Sequence, residues 1–257
     1  MVNQPSQDAF NEAATFISDN GTDLQCARYR FHFENQTAQD VTTALAAYQN
    51  DDGGFGHGLE GDLRTKNFSM ICSTVALQVL KEIDARPDNA MIRDTMNYLV
   101  RQYHHKNWSL IAGNCNDAPH APWWKYDGKV QCRRHFYANP GAEILSYLLA
   151  FPHDMCRQTT SSLTVRALVH LETESLDMHV FLCYSRLYET VSQDLQNQML
   201  PYFLRWAFER VKVDAIDWEE YCLMPLDVVC EPNSIFGDFF GAYLEQNFCF
   251  YDGSTKK

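Results

Sequence analysis

The segment Gln49-Asn-Asp-Asp-Gly-Gly-Phe-Gly-His-Gly-Leu-Glu-Gly-Asp62 holds five of the chain's twelve glycines. Glycine has no Cβ, so a segment this rich in glycine reaches positive φ values and allows other backbone to come close. The same segment carries five titratable side chains. We expect it to be a turn between two packed helices that fixes how they meet, with chemical groups exposed on it.

Helical patterns lie on both sides of this segment. Before it, Thr37 and Asp40 form a capping-box pattern ahead of an apolar stripe. After it, residues 69–83 are apolar on most of the helical circumference, which predicts a buried helix. Further stripes with helical spacing predict helices around residues 10–17, 24–31, 92–103, 140–151, 163–170, 176–187, 195–206 (interrupted or kinked at Pro201) and 237–246. No sustained alternation of apolar and polar residues occurs, so we predict an all-α protein.

The predicted helices follow a repeating rhythm. The ends of alternate helices fall near Gln49, Gln102, Phe151 and Gln246, at intervals of about fifty residues or twice that. A period of this length is typical of one helical hairpin per repeat. No linker rich in Pro, Gly or Ser divides the chain, so we predict a single domain over residues 1–257.

The motif in the glycine-rich segment resembles a known repeat. A helix ending in Gln-x-x-Asp-Gly-Gly-Phe-Gly before a buried helix resembles the repeat of protein prenyltransferase β subunits and of squalene and oxidosqualene cyclases, the terpenoid-cyclase-like α/α toroids. In that family the Gln and the aromatic residue tie one hairpin to the next. The resemblance implies an α/α toroid of about five helical hairpins, as a closed or an incomplete ring. The matching residues are Gln49, Asp52, Gly53, Gly54, Phe55 and Gly56.

The catalytic motifs of that family are not present. The acidic Asp-x-Asp-Asp string of the cyclases does not occur, and the Asp-x-Cys zinc pair of the prenyltransferases has no match, because two residues separate Asp227 from Cys230. Neither mechanism therefore carries over to this chain.

Four titratable residues follow the family motif and suggest acid/base chemistry. His57, Glu60, Asp62 and Arg64 lie within eight residues. At the mouth of a cavity, a partly desolvated carboxylic acid has a raised pKa and donates a proton, so Asp62 and Glu60 are the predicted proton-transfer groups and His57 and Arg64 their electrostatic partners. The alternative is structural: the carboxylates cap helices or pair with Arg64 and hold the loop.

A second candidate site lies in the long connection over residues 104–138. His120, Trp123, Trp124 and Tyr126 can form an aromatic wall for an apolar, cationic or sugar-like ligand. The alternative is a lid whose rings plug the end of a helical barrel.

The same connection contains four residues of types that bind zinc. Cys115, His120, Cys132 and His135 have the spacing C-x4-H-x11-C-x2-H, which matches no common zinc knuckle. We therefore predict no cofactor and keep zinc at these residues as the alternative.

Composition excludes several classes of partner. The formal net charge of −12 disfavours nucleic acid, and no run of apolar residues is long enough for a membrane span. Residues 1–16 lack a signal-peptide pattern, and the nine cysteines include no CxxC pair, so we expect reduced thiols in the cytoplasm. Sequence leaves the oligomeric state open.

The leading hypothesis is a terpene-cyclase-like enzyme. It would bind an apolar or partly apolar small molecule in a central cavity and carry out acid/base-assisted cyclisation, isomerisation or elimination. One alternative is a non-catalytic binding or scaffold protein of the same fold. The other is a carbohydrate-active α/α toroid enzyme, a glycosidase or lyase, which would need two carboxylates facing each other across a groove.

Overall fold

The computed structural model describes residues 6–111, 113–128, 136–214, 217–218, 221–228, 236–237 and 240. These residues confirm the all-α prediction: they form helices and no β-sheet, with strand pairing limited to isolated bridges. The elements are α1 (Gln7–Asn20), α2 (Asp23–Phe33), α3 (Ala38–Ala46), α4 (Met70–Glu82), α5 (Ala90–Arg101), α6 (Ala138–Ala150), α7 (Arg157–Thr173), α8 (Met178–Thr190), α9 (Gln193–Arg210), the short α10 (Pro225–Val228), and two 3₁₀ turns at Gly113–Asp117 and Pro122–Trp124.

Side-chain caps define where several helices begin. The predicted capping box at the start of α3 is confirmed: the Thr37 hydroxyl accepts from the Asp40 N–H, and the Asp40 carboxylate accepts from the Thr37 N–H at 3.0 Å. At α4, the buried Ser69 hydroxyl accepts from the Cys72 N–H at 3.0 Å. Each cap satisfies an N–H group that the first helical turn leaves without a partner.

Helix α6 lies at the centre of the packing. It contacts α4, α5, α7 and α8, while α9 packs on α7 and α8, and α1, α2 and α3 pack in series. Residues 138–148 are buried except for Asn139. In α7 and α9, by contrast, only one face is buried. The described core therefore centres on α4, α6 and α8.

The glycine-rich segment ties three helices together. Isolated bridges pair Phe55 with Gln49 on one side and with Ser69 on the other, so the end of α3 is joined to the start of α4. Gly53 has a positive φ of 86° and lies against the backbone of Asp94 in α5, where an added Cβ would come within 2.4 Å of the carbonyl oxygen. Glycine is required there for both reasons.

Two helix boundaries bear on the sequence predictions. Helix α9 runs through Pro201 as one element from Gln193 to Arg210, although the proline removes one internal hydrogen bond. The predicted helix over residues 237–246 falls mostly outside the described residues.

No helix in the described part of the chain combines the length and apolar character needed to cross a bilayer.

Candidate functional site

A pocket of about 460 Å³ opens between the start of α4, the end of α5 and the connection that follows α5. Its lining divides by exposure. Phe68, Ser69, Met70, Tyr98, Asn107 and Ile111 are buried or half-buried, whereas His104, His105, Ser109, Lys125 and Asp127 are exposed. The remaining lining residues are Gln102, Tyr126 and Tyr137. The pocket thus has a mainly apolar inner side and a polar rim.

The inner side depends on the glycine-rich segment. The rings of Phe68 and Tyr98 meet edge to face with centroids 5.4 Å apart. Gly54 leaves room for this pair, since a Cβ at that position would lie 2.7 Å from Cε2 of Tyr98 and 3.0 Å from Cβ of Phe68. The family-like motif therefore shapes the pocket wall through a missing side chain.

Tyr98 carries a buried hydroxyl that has no hydrogen-bond partner among the described residues. Its ring is part of the pocket wall although none of the residue is exposed to solvent. Burial, and next the negative charge of Asp52, raise the pKa of this hydroxyl, so it is a neutral O–H. A buried donor without a partner costs stability.

A tight turn holds the two histidines of the rim. His104 and Asn107 exchange both backbone hydrogen bonds, at 3.1 and 3.0 Å. Between them His105 and Lys106 both have positive φ values, 53° and 68°, which non-glycine residues adopt at a cost. Arg166 of α7 donates to the Lys106 carbonyl and attaches the turn to the helical core.

Two asparagines fix the tyrosines of the lining. Asn116 exchanges two hydrogen bonds of 2.9 Å with the backbone of Tyr126. The Asn107 side-chain oxygen accepts from the Tyr137 N–H at 3.1 Å. The pocket is thus built from loops whose backbones are individually pinned.

The predicted proton donor Asp62 and the predicted tryptophan wall are in direct contact. Trp124 Nε1 donates to Asp62 Oδ1 at 2.6 Å, and Trp123 Nε1 donates to Asp62 Oδ2 at 2.9 Å. The Trp124 ring is buried beside Leu63, whereas Trp123 is 64 % exposed. Both carboxylate oxygens therefore serve to attach the connection after α5 to the glycine-rich segment.

Glu60 lies beside Asp62 and is half-buried. Burial raises the pKa of the Glu60 carboxyl, and the neighbouring Asp62 charge raises it further, while the Gly61 N–H acts in the opposite direction. Of the four predicted acid/base residues, Glu60 has the environment of a proton donor.

The predicted electrostatic partners have other contacts. His57 is exposed with a positive φ of 55°, and its Nε2 lies 3.0 Å from the Asn50 side-chain oxygen. Arg64 is exposed, and its backbone N–H donates to the Pro119 carbonyl at 3.0 Å. Within the described residues, Arg64 forms no ion pair with either carboxylate.

Of the predicted ligand-binding residues, Tyr126 lines the pocket and His120 does not. His120 pairs in an isolated bridge with Leu63, and its Nδ1 lies 2.9 Å from the Ala121 carbonyl oxygen. Trp123 and Trp124 are likewise absent from the described lining.

Of the four proposed zinc ligands, Cys132 and His135 lie outside the described residues. Within the described part, no three His, Cys, Asp or Glu side chains are arranged to hold a metal ion.

The sequence analysis did not identify a buried polar cluster around Glu143. Its side chain is 3 % exposed, and it accepts from Gln78 at 2.8 Å, from the Tyr147 hydroxyl at 2.7 Å and from Arg186 at 3.4 Å. Burial, and next the Glu143 charge, hold the pKa values of Tyr147 and Cys183 well above their usual range. The signal in the sequence is one acidic residue inside the apolar stretch 140–149.

No protein-family model, curated protein or solved structure matches this chain.

Proposed function

We propose that the protein binds a partly apolar small molecule in the pocket between Phe68 and Tyr126. The observation that carries this proposal is an open pocket whose inner side is lined by Phe68, Met70, Ile111 and the ring of Tyr98 beneath a polar rim. The volume of about 460 Å³ falls within the usual range of small-molecule sites, about 300–1,000 Å³. A ligand with a ring or branched chain would displace water from the inner side while its polar group stays at the rim.

An open pocket favours binding over a purely structural fold. A scaffold protein would fill the space beside Phe68 with its own rings, whereas here the rings line a void. The carbohydrate-active alternative gains no support from this pocket, because Asp127 is the one carboxylate in its described lining.

The proposal includes an α/α toroid of about five hairpins as the supporting fold, and a cytoplasmic location. The order of helix contacts supports the toroid: α4 packs on α6 and α6 on α8, so alternate helices form a continuous layer. Helices α5, α7 and α9 pack against that layer. The segment from Gln49 to Gly56, which ties α3, α4 and α5 together, then has the linking role that the family resemblance implies.

The test of binding uses a neutral aromatic compound, indole-3-acetamide, followed by ligand-observed NMR and calorimetry. We expect saturable binding that Ser109→Trp abolishes, since the new ring would occupy the pocket. Ser161→Trp, at an exposed position of α7, is the matched control. Absence of saturable binding, or equal binding by both variants, would contradict the proposal.

A second candidate function is proton transfer from Glu60, as in the cyclase-like hypothesis. It is supported by the raised pKa of this carboxyl and by the adjacent Asp62 charge. The test is incubation of the protein with a cell extract and detection of new products by mass spectrometry. Product formation that Glu60→Gln leaves unchanged, in a folded variant, would reject Glu60 as the acid.

A further inference from the structure

We infer that the natural ligand of the pocket is an amphipathic anion whose acidic group is bound by His104, His105 and Lys125. This inference rests on the proposed small-molecule function and adds the chemical class of the ligand. It concerns the rim, whereas the binding proposal concerns the inner side.

Among the described lining residues, the rim carries three basic side chains and one acidic side chain, Asp127, which has a contact of its own. A lysine ammonium donates hydrogen bonds, and an imidazole has at least one N–H donor whether neutral or protonated. All three basic residues are therefore donors to a carboxylate, sulfonate or phosphate oxygen.

The net charge of the whole protein, by contrast, disfavours the binding of an anion. With a net charge of −12, the overall field repels anions. Because salt screens exposed charges beyond about 8 Å at physiological ionic strength, the nearby rim side chains govern a bound anion more than the distant carboxylates do. The basic rim of this acidic protein therefore favours a ligand that carries a negative charge.

The basic groups are held by fixed backbone from two separate segments. The turn that carries His104 and His105 is closed by two backbone hydrogen bonds and attached to α7 through Arg166. Lys125 follows the 3₁₀ turn Pro122–Trp124, and its N–H donates to the Pro122 carbonyl at 3.3 Å. Because the backbone is fixed, the conformational entropy lost when a ligand binds is confined to these side chains.

The inner side of the pocket determines the rest of the ligand. Phe68, Met70, Tyr98 and Ile111 offer ring and aliphatic surface, which inorganic phosphate or a small dicarboxylate would leave uncovered. An aromatic or branched hydrophobic acid would cover the inner side with its apolar part and place its acidic group at the rim. We therefore assign the pocket to an aryl or branched-alkyl acid.

The test compares three compounds of nearly equal shape: indole-3-acetate, indole-3-acetamide and tryptamine. We expect calorimetry at low salt to show indole-3-acetate binding about tenfold more tightly than the neutral amide, with tryptamine weakest. The advantage of the anion should shrink as salt is added.

Variants of the rim residues test whether the affinity depends on the charge of the ligand or on its shape. Lys125→Met and the double variant His104→Asn/His105→Asn should each lower the affinity for indole-3-acetate more than the affinity for the amide, and so reduce the preference for the anion. Asparagine is chosen because it tolerates the positive φ at His105. Lys81→Met, at an exposed lysine of α4 outside the pocket, is the matched control and should preserve the preference.

The outcomes distinguish this inference from the binding proposal. Equal affinity for the acetate and the amide, with both lost in Ser109→Trp, would overturn the anion assignment and leave the binding proposal standing. No saturable binding of any of the three compounds would overturn both.

Discussion

Asp62 Oδ1 accepts a 2.6 Å hydrogen bond from Trp124 Nε1, which joins residues 62 positions apart. Trp123 donates to the other oxygen, and the backbones of the two segments pair through Ala121 N–H to the Asp62 carbonyl at 2.9 Å. The carboxylate therefore anchors the connection after α5, part of which forms the pocket rim, to the glycine-rich segment.

Replacing Asp62 should destabilise the fold through this attachment. Asp62→Asn retains one acceptor and turns an amide N–H₂ toward an indole N–H, so we expect a loss of about 1–3 kcal/mol in the free energy of unfolding. Urea denaturation measures the change. Asp51→Asn, an exposed carboxylate of the same segment, is the control and should change stability by less than about 0.5 kcal/mol. Equal stability of the two variants would show that the indole bonds do not hold the loop.

Glu60 should make stability fall as pH rises. Its carboxyl has a raised pKa in the folded protein, mainly through burial, so the folded state binds this proton more tightly than the unfolded chain. Stability is then highest below the usual glutamate pKa and decreases as pH rises toward the raised value. Glu60→Gln should remove this decrease and make the protein more stable than wild type at pH 7.

The measurement is the unfolding free energy of both proteins between pH 4 and 7. Glu12→Gln, an exposed position of α1, controls for the change in net charge. A wild-type and Glu60→Gln difference that stays constant with pH would contradict the prediction.

Sequence periodicity predicts the helices well because most of them bury a regular stripe. The capping pair Thr37 and Asp40 and the apolar run after Ser69 are local signals, and α3 and α4 follow them closely. The predictable part of the site is equally local: the family-like motif and the concentration of charge after it both lie in one short segment.

The pocket was not predictable in the same way, because its parts are distant in sequence. Tyr98 belongs to an ordinary apolar stripe, and nothing in that stripe indicates that its hydroxyl lacks a partner. Asp62 meets Trp123 and Trp124 only through the path of the long connection. A residue's role here depends on which segments pack together, and periodicity does not encode that.

Gly54 should not tolerate a side chain. An alanine Cβ would lie 2.7 and 2.8 Å from two atoms of the Tyr98 ring, which is buried and cannot move away freely. We expect Gly54→Ala to destabilise the protein by about 1–3 kcal/mol.

Gly61→Ala is the matched control in the same segment. No atom lies within 4 Å of a Cβ at Gly61, so this variant should be neutral or slightly stabilising, by up to about 1 kcal/mol. Thermal and urea denaturation compare the two. Similar losses in both variants would indicate that backbone freedom, rather than contact with Tyr98, requires glycine at position 54.

Tyr98→Phe should not destabilise the protein. Removing a buried hydroxyl that has no partner is expected to leave stability unchanged or raise it by up to about 1 kcal/mol. Tyr184→Phe is the control: this hydroxyl is also buried but donates to the Ala167 carbonyl at 2.8 Å, so its removal should cost about 1 kcal/mol. A stability loss like that of Tyr184→Phe would contradict the unpaired state.

Glu143 joins the three central helices, and its replacement should be more costly than that of any surface carboxylate. Gln78 of α4, Tyr147 of α6 and Arg186 of α8 all donate to it, so its charge is balanced by donors from every helix of the inner layer. Glu143→Gln keeps one acceptor but places an amide N–H₂ toward Arg186 and removes the negative charge that faces the guanidinium. We expect a loss of about 2–4 kcal/mol.

The control for Glu143 lies on the surface of α8. Glu189 pairs with Lys81 of α4 at 3.3 Å, but both side chains are largely exposed, so Glu189→Gln should cost less than about 0.5 kcal/mol. Glu143→Gln removes one charge from the contact between α6 and α8, and Glu189→Gln removes one charge from the contact between α4 and α8. The two carboxylates differ in burial. A large difference in unfolding free energy therefore assigns the effect to the buried cluster, whereas equal small changes would mean that packing of α4, α6 and α8 does not depend on Glu143.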